Sequence, residues 1–197
     1  MQERQVTIGG TSYALPDPFL VLATQNPIES EGTYPLPEAQ LDRFLFKVKV
    51  DYPARLEERE VLLRQGSGST LAPVRRLAEP AQVLEARQRI GEIHLDPRLA
   101  DYIVDVVRAT REPDAVGLGA LAPMIAYGAS PRASIALAQT ARAHAFLRER
   151  DYVTPEDVQA LAPDVMRHRI VLTFDAEADG LDADAVVSQV LAAVPVP

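Results

Sequence analysis

An uninterrupted apolar run, FLVLAT at residues 19–24, limits the folds open to this chain more than any other segment. A short run without alternation is typical of a strand buried on both faces, as in a parallel α/β sheet. The run ends just before Asn26, and Pro27 biases that residue toward extended backbone. Ligands of open α/β sheets bind beyond the carboxyl ends of such strands, so Asn26 is a candidate binding residue. Taken alone, it could simply be a loop residue that ends the strand.

The rest of the first quarter also favours β-structure. The segment QVTIGGTSYAL predicts a β-hairpin, because Gly9 and Gly10 tolerate the positive φ of a tight turn. The segment PEAQLDRF, residues 37–44, predicts a short helix with a proline in its first turn. The segment FLFKVKV, residues 44–50, alternates apolar and lysine side chains and predicts a further strand.

Beyond residue 53 the pattern becomes helical. In the segment DPRLADYIVDVVRATRE, an apolar stripe at helical spacing is formed by Leu99, Ile103, Val106 and Val107. Further helices are predicted for ARLEEREVLLRQ, PAQVLEARQRI, SPRASIALAQTARAHAFLRER, VTPEDVQALAPDVMRHRI and DADAVVSQVLAAV. We therefore expect an α/β part at residues 1–52 and a helical domain at residues 53–197, with a linker near residues 66–79.

Helix-start signals support this reading of the second part. Thr154 is placed as an N-cap, Pro155 as the first helical residue and Asp157 as the capping-box partner. The helix that begins near Ser130 contains many alanines, which allow neighbouring helices to pack closely. The sequence therefore predicts a helical domain with its own core.

Composition narrows the class of function. The formal net charge of −8 argues against nucleic acid or an anionic membrane surface as the main partner. The absence of cysteine excludes disulfides, zinc–thiolate sites and thiol catalysis. The three histidines are far apart and do not predict a metal site. No apolar run is long enough to span a membrane and the N-terminus lacks a signal-peptide pattern, so we expect a cytoplasmic protein.

Two arginines occupy positions that suggest anion binding. Arg132 follows Ser130 and Pro131 at a predicted helix N-terminus, where the helix dipole makes a cation mildly unfavourable. A bound phosphate would remove that conflict, although an arginine extended into water would also explain it. Arg43 ends a short helix and could either pair with Asp42 or remain available for a ligand.

Taken together, the segments ATQNP, EGTYPLPEAQLDRF and GASPRAS, in this order and spacing, resemble the MoxR family of AAA+ ATPases. The hairpin segment resembles the one that precedes the sensor strand in that branch of AAA+ proteins. The resemblance covers essentially the whole chain and is weakest at FDAEADGLDADA. It implies an α/β AAA+ core remnant (β-hairpin plus strands) followed by an all-α helical lid domain.

The resemblance also implies roles for the candidate residues. Asn26 is similar to the sensor 1 residue, which positions the attacking water near the γ-phosphate. Arg43 is similar to the arginine finger that contacts the γ-phosphate of the neighbouring subunit, and Arg132 to the sensor 2 residue on the lid. These roles suit phosphoryl transfer, which needs orientation and charge stabilisation more than covalent chemistry. The resemblance implies ATP and Mg²⁺ as cofactors and a hexameric ring as the assembly. It also implies that the ring remodels partner proteins, but it does not identify them.

The chain departs from the family pattern in one large respect. It contains no G-x-x-x-x-G-K-[ST] phosphate-binding loop and no apolar strand ending in the acidic pair that would hold Mg²⁺. We therefore expect it to correspond to the C-terminal part of a MoxR-type ATPase, with Met1 matching an internal methionine. Alone, it should bind neither ATP nor Mg²⁺ tightly and should not hydrolyse ATP. Its β-rich segment should be rearranged, poorly packed or paired with the same segment of another chain.

Two other classes of function remain open at the level of sequence. The missing phosphate-binding loop would also suit a stand-alone helical interaction or adaptor module. Several arginine pairs give some basis for a helical nucleic-acid binder, but the net charge argues against it.

Overall fold

The computed structural model describes residues 5–25, 36–66 and 73–197. It begins with the predicted hairpin, in which β1 (Gln5–Ile8) pairs antiparallel with β2 (Thr11–Ala14). The turn glycines Gly9 and Gly10 have φ values of 58° and 82°, a combination that residues with a Cβ rarely adopt. The hairpin prediction is therefore confirmed, and all eight strand residues are exposed.

The strands predicted at residues 19–24 and 44–50 are not formed in the structure. Leu20 and Leu22 are 75% and 86% exposed, and Val48 and Val50 are 63% and 90% exposed. A strand is stable only where neighbouring strands satisfy its backbone groups, and no such neighbour lies beside either segment within the described ranges. The apolar run thus indicated a segment that can form a strand, but the neighbouring strands that such a strand needs are not present in the described ranges.

Helices make up most of the remaining structure. The short helix α1 (Glu38–Leu41) and the exposed helix α2 (Arg55–Gln65) lie in the second described range. The third range contains α3 (Pro80–Glu92), α4 (Pro97–Ala109), α5 (Pro131–Leu147), α6 (Pro155–Met166), α7 (Phe174–Ala178) and α8 (Ala183–Ala193). Two 3₁₀ helices, Pro113–Val116 and Gly119–Met124, connect α4 to the strand that precedes α5.

The helical domain is confirmed, but it also contains a small sheet that the sequence did not predict. Strand β3 (Ile125–Tyr127) pairs antiparallel with β4 (Val171–Leu172). This pair joins the two chain segments that flank α5 and α6. Because each strand has only two or three residues, the signal is too short to distinguish from loop by pattern.

The core lies where α4, α5, α6 and α8 pack against one another. All four residues of the predicted stripe on α4 are buried, from 0% to 3% exposed. Helix α5 presents small side chains to this core, namely Ala133, Ala136, Ala141 and Ala145. Small residues bring helix axes close together, so α5 and α6 make the most extensive contact between elements in the domain.

No helix in the described ranges has the length and apolar character that a membrane span needs.

The predicted cap of α6 is also confirmed. The amide of Thr154 donates to Asp157 Oδ2 at 2.8 Å, and the amide of Asp157 donates to the carbonyl of Thr154 at 3.1 Å. Asp157 is only 1% exposed and also accepts hydrogen bonds from Arg150 and His144. A capping residue has thus become the centre of a buried polar cluster between the ends of α5 and α6.

Candidate functional site

The candidate site lies where the turn after α1 meets the N-terminus of α5. At its centre is the carboxylate of Asp42, whose side chain is 16% exposed. Ser130 Oγ donates to Asp42 Oδ2 at 3.0 Å, and Arg132 Nη1 donates to the same oxygen at 3.1 Å. The other carboxylate oxygen accepts from Arg169 Nε at 3.0 Å. Three elements that are distant in sequence are therefore joined by one carboxylate.

Asp42 accounts for the unusual position of Arg132. Ser130 is the N-cap of α5, and its hydroxyl accepts the amide hydrogen of Arg132 at 3.2 Å. Asp42 supplies the negative charge that a helix N-terminus favours. Burial raises the pKa of Asp42, but the hydrogen bonds from Arg132, Ser130 and Arg169 outweigh it and lower the pKa below its usual value. The carboxylate is therefore charged near neutral pH.

A second set of contacts holds residues 42–47, which we call the docked segment, against the end of α6. The side chain of Arg169 is 3% exposed and donates to the carbonyls of Asp42, Phe44 and Leu45 at 3.1, 2.6 and 3.2 Å. The amide of Lys47 donates to the carbonyl of Asp164 at 2.9 Å. These bonds satisfy several backbone groups of the docked segment, which is not a strand in the structure.

His168 adds a neutral contact to the docked segment. Its Nε2 donates to the carbonyl of Phe44 at 3.0 Å, and its Nδ1 is buried without a partner in the described structure. Burial is the main cause that lowers the pKa of His168 to about 4, and the positive charges of Arg169 and Lys47 add to it, while Asp42 opposes it. The histidine is therefore uncharged at neutral pH.

This histidine predicts a loss of stability in mild acid. Because its folded pKa of about 4 lies below the ordinary value of 6.5, its stabilising contribution is complete above pH 6.5 and is lost as the pH falls toward 4. We expect the free energy of unfolding to fall by roughly 2 kcal/mol between pH 7 and pH 4.5, after allowance for partial exposure. Urea unfolding at both pH values measures this.

The control is His168→Gln, which keeps a donor but does not titrate. Its free energy of unfolding should fall by about 1–2 kcal/mol less over the same pH interval. Equal pH dependence in the two proteins would contradict the assignment to His168.

Arg43 projects from the docked segment in a different way. Its side chain is exposed and makes no ion pair within the described residues, since the adjacent Asp42 is engaged with Arg132 and Arg169. Arg43 and Arg132 line one open depression of about 480 Å³, together with Ala39 and Gln40. The sequence-predicted alternative, in which Asp42 pairs with Arg43, is therefore wrong.

The charge balance of this corner favours an anion. Asp42 is paired with Arg132 and Arg169, and Arg43 adds a third guanidinium nearby, so these four side chains carry a formal charge of +2 (three minus one) in a chain whose net charge is −8. Guanidiniums match phosphate oxygens in geometry as well as in charge. The depression therefore presents two guanidiniums, from different elements, that suit a phosphate group.

A larger open depression, of about 630 Å³, lies between α4 and β3. Its charged lining residues are Arg111, Glu112 and Asp114, which give a net negative charge. It is therefore the less suitable of the two depressions for a phosphate ligand, despite its size.

The structure brings together two of the three sequence-predicted site residues. Arg43 and Arg132 share one depression, whereas Asn26 lies outside the described residues. Sequence reasoning missed the connecting roles of Asp42 and Arg169. The only available signal was their charge, because their contacts span 127 positions of the chain.

Comparisons with known proteins show which proteins this chain is similar to. Residues 119–190 match the family model described as the AAA lid domain, and residues 1–46 match the ATPase family associated with various cellular activities. The chain is 48% identical over 197 residues to the chaperone MoxR1 of Mycobacterium tuberculosis and 35% identical over 214 residues to the protein MoxR of Paracoccus denitrificans. Each alignment covers 100% of this chain, but 52% and 61% of those relatives.

A crystal structure of a candidate ATPase from Cytophaga hutchinsonii is also similar. It superimposes with a TM-score of 0.93 at 46% sequence identity, and the match covers 100% of this chain and 59% of the other. The chain therefore spans only about half to three fifths of the length of the proteins that it matches.

Proposed function

Because the chain belongs to the MoxR family of AAA+ ATPases, we propose that it forms the C-terminal part of an ATP-driven, chaperone-like machine that remodels or matures partner proteins. In this proposal the chain supplies the helical lid and two arginines that act on ATP. The observation that carries it is the shared depression of Arg43 and Arg132, because both guanidiniums reach it from separately positioned elements.

The described residues fit the phosphate part of ATP. Arg43 and Arg132 would hold phosphoryl oxygens and stabilise the charge that develops in the transition state. Asn26, as the sensor 1 residue, would orient the attacking water. No carboxylate lines the depression among the described residues, and Asp42 is already engaged by three donors. The ligands for Mg²⁺ would therefore come from a phosphate-binding segment of the kind that this chain does not contain.

The geometry also favours one arrangement of the two arginines over another. The family resemblance implies that Arg43 acts on a neighbouring subunit's nucleotide and that Arg132 acts on phosphate from the lid. Since both line a single depression, we propose that they act on the same polyphosphate. That polyphosphate would be held by the neighbouring subunit, so that hydrolysis requires assembly in a ring.

ATP turnover tests this function directly. The chain alone should release phosphate only at background, because it has no G-x-x-x-x-G-K-[ST] loop. The full-length ATPase, in which a phosphate-binding segment precedes this chain, should turn over ATP at roughly 1–100 per second, or more slowly without its partner protein. Phosphate release by the chain alone that Arg43→Ala abolishes would contradict the proposal.

The mass of the full-length protein in solution, measured with and without ATP, checks the requirement for assembly. We expect an oligomer under turnover conditions. A full-length protein that hydrolyses ATP as a strict monomer would overturn the proposed role of Arg43 at a neighbour's site. A helical adaptor module, the alternative function, would show no turnover in either form.

A further inference from the structure

We propose that Arg169 is a positioning residue, which fixes the two phosphate-facing guanidiniums of Arg43 and Arg132 in one geometry. This inference rests on the proposed function for its catalytic meaning. Arg169 does not line the depression itself. Arg169 acts through the backbone carbonyls of Asp42 and Phe44, which lie on either side of Arg43, and through the carboxylate of Asp42, which holds Arg132.

The link to Arg43 runs through the backbone. Arg169 Nη2 donates to the carbonyl of Asp42 at 3.1 Å and to the carbonyl of Phe44 at 2.6 Å. These carbonyls belong to the residues directly before and after Arg43. One nitrogen therefore restrains the chain on both sides of Arg43 while leaving its guanidinium exposed and available.

The link to Arg132 runs through Asp42. Arg169 Nε donates to Asp42 Oδ1 at 3.0 Å, and Arg132 Nη1 donates to Asp42 Oδ2 at 3.1 Å. With Oδ1 held by Arg169, the direction of the second oxygen is set, and so is the position that Arg132 can occupy. A movement of Arg169 would displace both guanidiniums together.

The chemistry explains why arginine occupies this position. The five N–H donors of a guanidinium point in fixed directions, and those of Arg169 reach four carbonyls and one carboxylate. A lysine has three donors on a single atom and cannot bridge groups arranged in this way. A displacement of about 1 Å in a catalytic group can lower a rate by about 10²-fold, so small losses of this restraint have measurable effects.

The test is Arg169→Lys in the full-length ATPase. We expect kcat to fall by about 10- to 100-fold, whereas Kd for a non-hydrolysable ATP analogue stays within about twofold, because positioning matters most in the transition state. The control is Arg142→Lys, since Arg142 is a partly buried arginine that donates to a backbone carbonyl, that of Ile93, at 3.1 Å. That variant should keep its kcat.

Hydrogen exchange in this chain supplies a readout that does not depend on activity. The amide of Lys47, which donates to Asp164, should exchange at least tenfold faster in Arg169→Lys than in Arg142→Lys, because the docked segment opens locally. Unchanged protection of Lys47 would overturn the inference.

A second variant covers the case in which Arg169→Lys does not fold. Asp42→Asn keeps the backbone bonds of Arg169 but removes the charge that holds Arg132. It should lower kcat by about tenfold with Lys47 still protected, and an unchanged kcat would overturn the inference.

If Arg43→Ala lowers kcat but Arg169→Lys does not, the role of Arg169 alone is wrong. If neither variant changes kcat, the proposed function fails and the role of Arg169 fails with it.

Discussion

Under the proposed function, replacing Arg43 by alanine in a protein that joins this chain to a phosphate-binding segment is expected to lower kcat for ATP hydrolysis by about 10³-fold or more, with little change in nucleotide affinity. The guanidinium is exposed and forms no ion pair among the described residues, so its removal breaks no ion pair within that part of the chain. Stability should therefore change by no more than about 0.5 kcal/mol. The lost interaction is one that strengthens as charge develops on the phosphoryl group, which places the effect on kcat.

Three further variants make this result specific. Arg43→Lys keeps the charge but loses the planar set of N–H donors of the guanidinium. Its kcat should therefore lie between the kcat of the wild type and that of Arg43→Ala. Arg98→Ala is the control, since Arg98 is 78% exposed and pairs with Asp96 away from the depression. Arg132→Ala should weaken binding of the nucleotide as well as turnover. The measurements are kcat and equilibrium binding of an ATP analogue, and an unchanged kcat in Arg43→Ala would remove that residue from the mechanism.

The second large effect is expected at Asp157, where an asparagine should lower the free energy of unfolding by about 2–4 kcal/mol. The carboxylate accepts from Arg150 Nη2 and Nη1 at 2.5 and 2.9 Å, from the Thr154 amide at 2.8 Å and from His144 Nδ1 at 2.7 Å. An asparagine has one acceptor oxygen, and its NH₂ group would face donors. The buried ends of α5 and α6 would then lose their common partner.

The charge of Asp157 also gives this prediction a pH dependence. Burial raises its pKa, but the bonds from Arg150, Thr154 and His144 outweigh it and lower the pKa to about 2. Its contribution is therefore complete above pH 3.8 and is lost as the pH falls toward 2. Urea unfolding of Asp157→Asn and of the wild type at pH 7 measures the expected loss in free energy of unfolding.

The matched control for Asp157 is Glu156→Gln, in the same turn of α6 but exposed. It should change stability by no more than about 0.5 kcal/mol. Similar losses in both variants would contradict the role given to the buried carboxylate.

The sequence predicted the parts of the fold that depend on near neighbours. The turn of the hairpin follows from two adjacent glycines, and the cap of α6 follows from Thr154 and Asp157, three positions apart. The buried stripe of α4 follows from helical spacing alone. In each case the interacting residues lie within a few positions, so the local chain geometry fixes the outcome.

The same reasoning failed where a segment needs a distant partner. The apolar run at residues 19–24 carries the composition of a buried strand, yet it is not a strand in the structure. The segment at residues 44–50 alternates as a strand should, but Arg169 and Asp164 hold the backbone of its first half instead. Composition states what a segment can form, whereas its hydrogen-bond partners decide what it does form.

For the candidate site, charge and position at helix ends were enough to mark Arg43 and Arg132 as candidate phosphate ligands. Two further facts follow from the packed chain alone: Asp42 pairs with Arg132 and Arg169 rather than with its neighbour Arg43, and Arg43 and Arg132 share one depression. An ion pair depends on distance in space, which local sequence does not give. Residues 90 and 127 positions away approach the carboxylate of Asp42 only after α5 and α6 have packed.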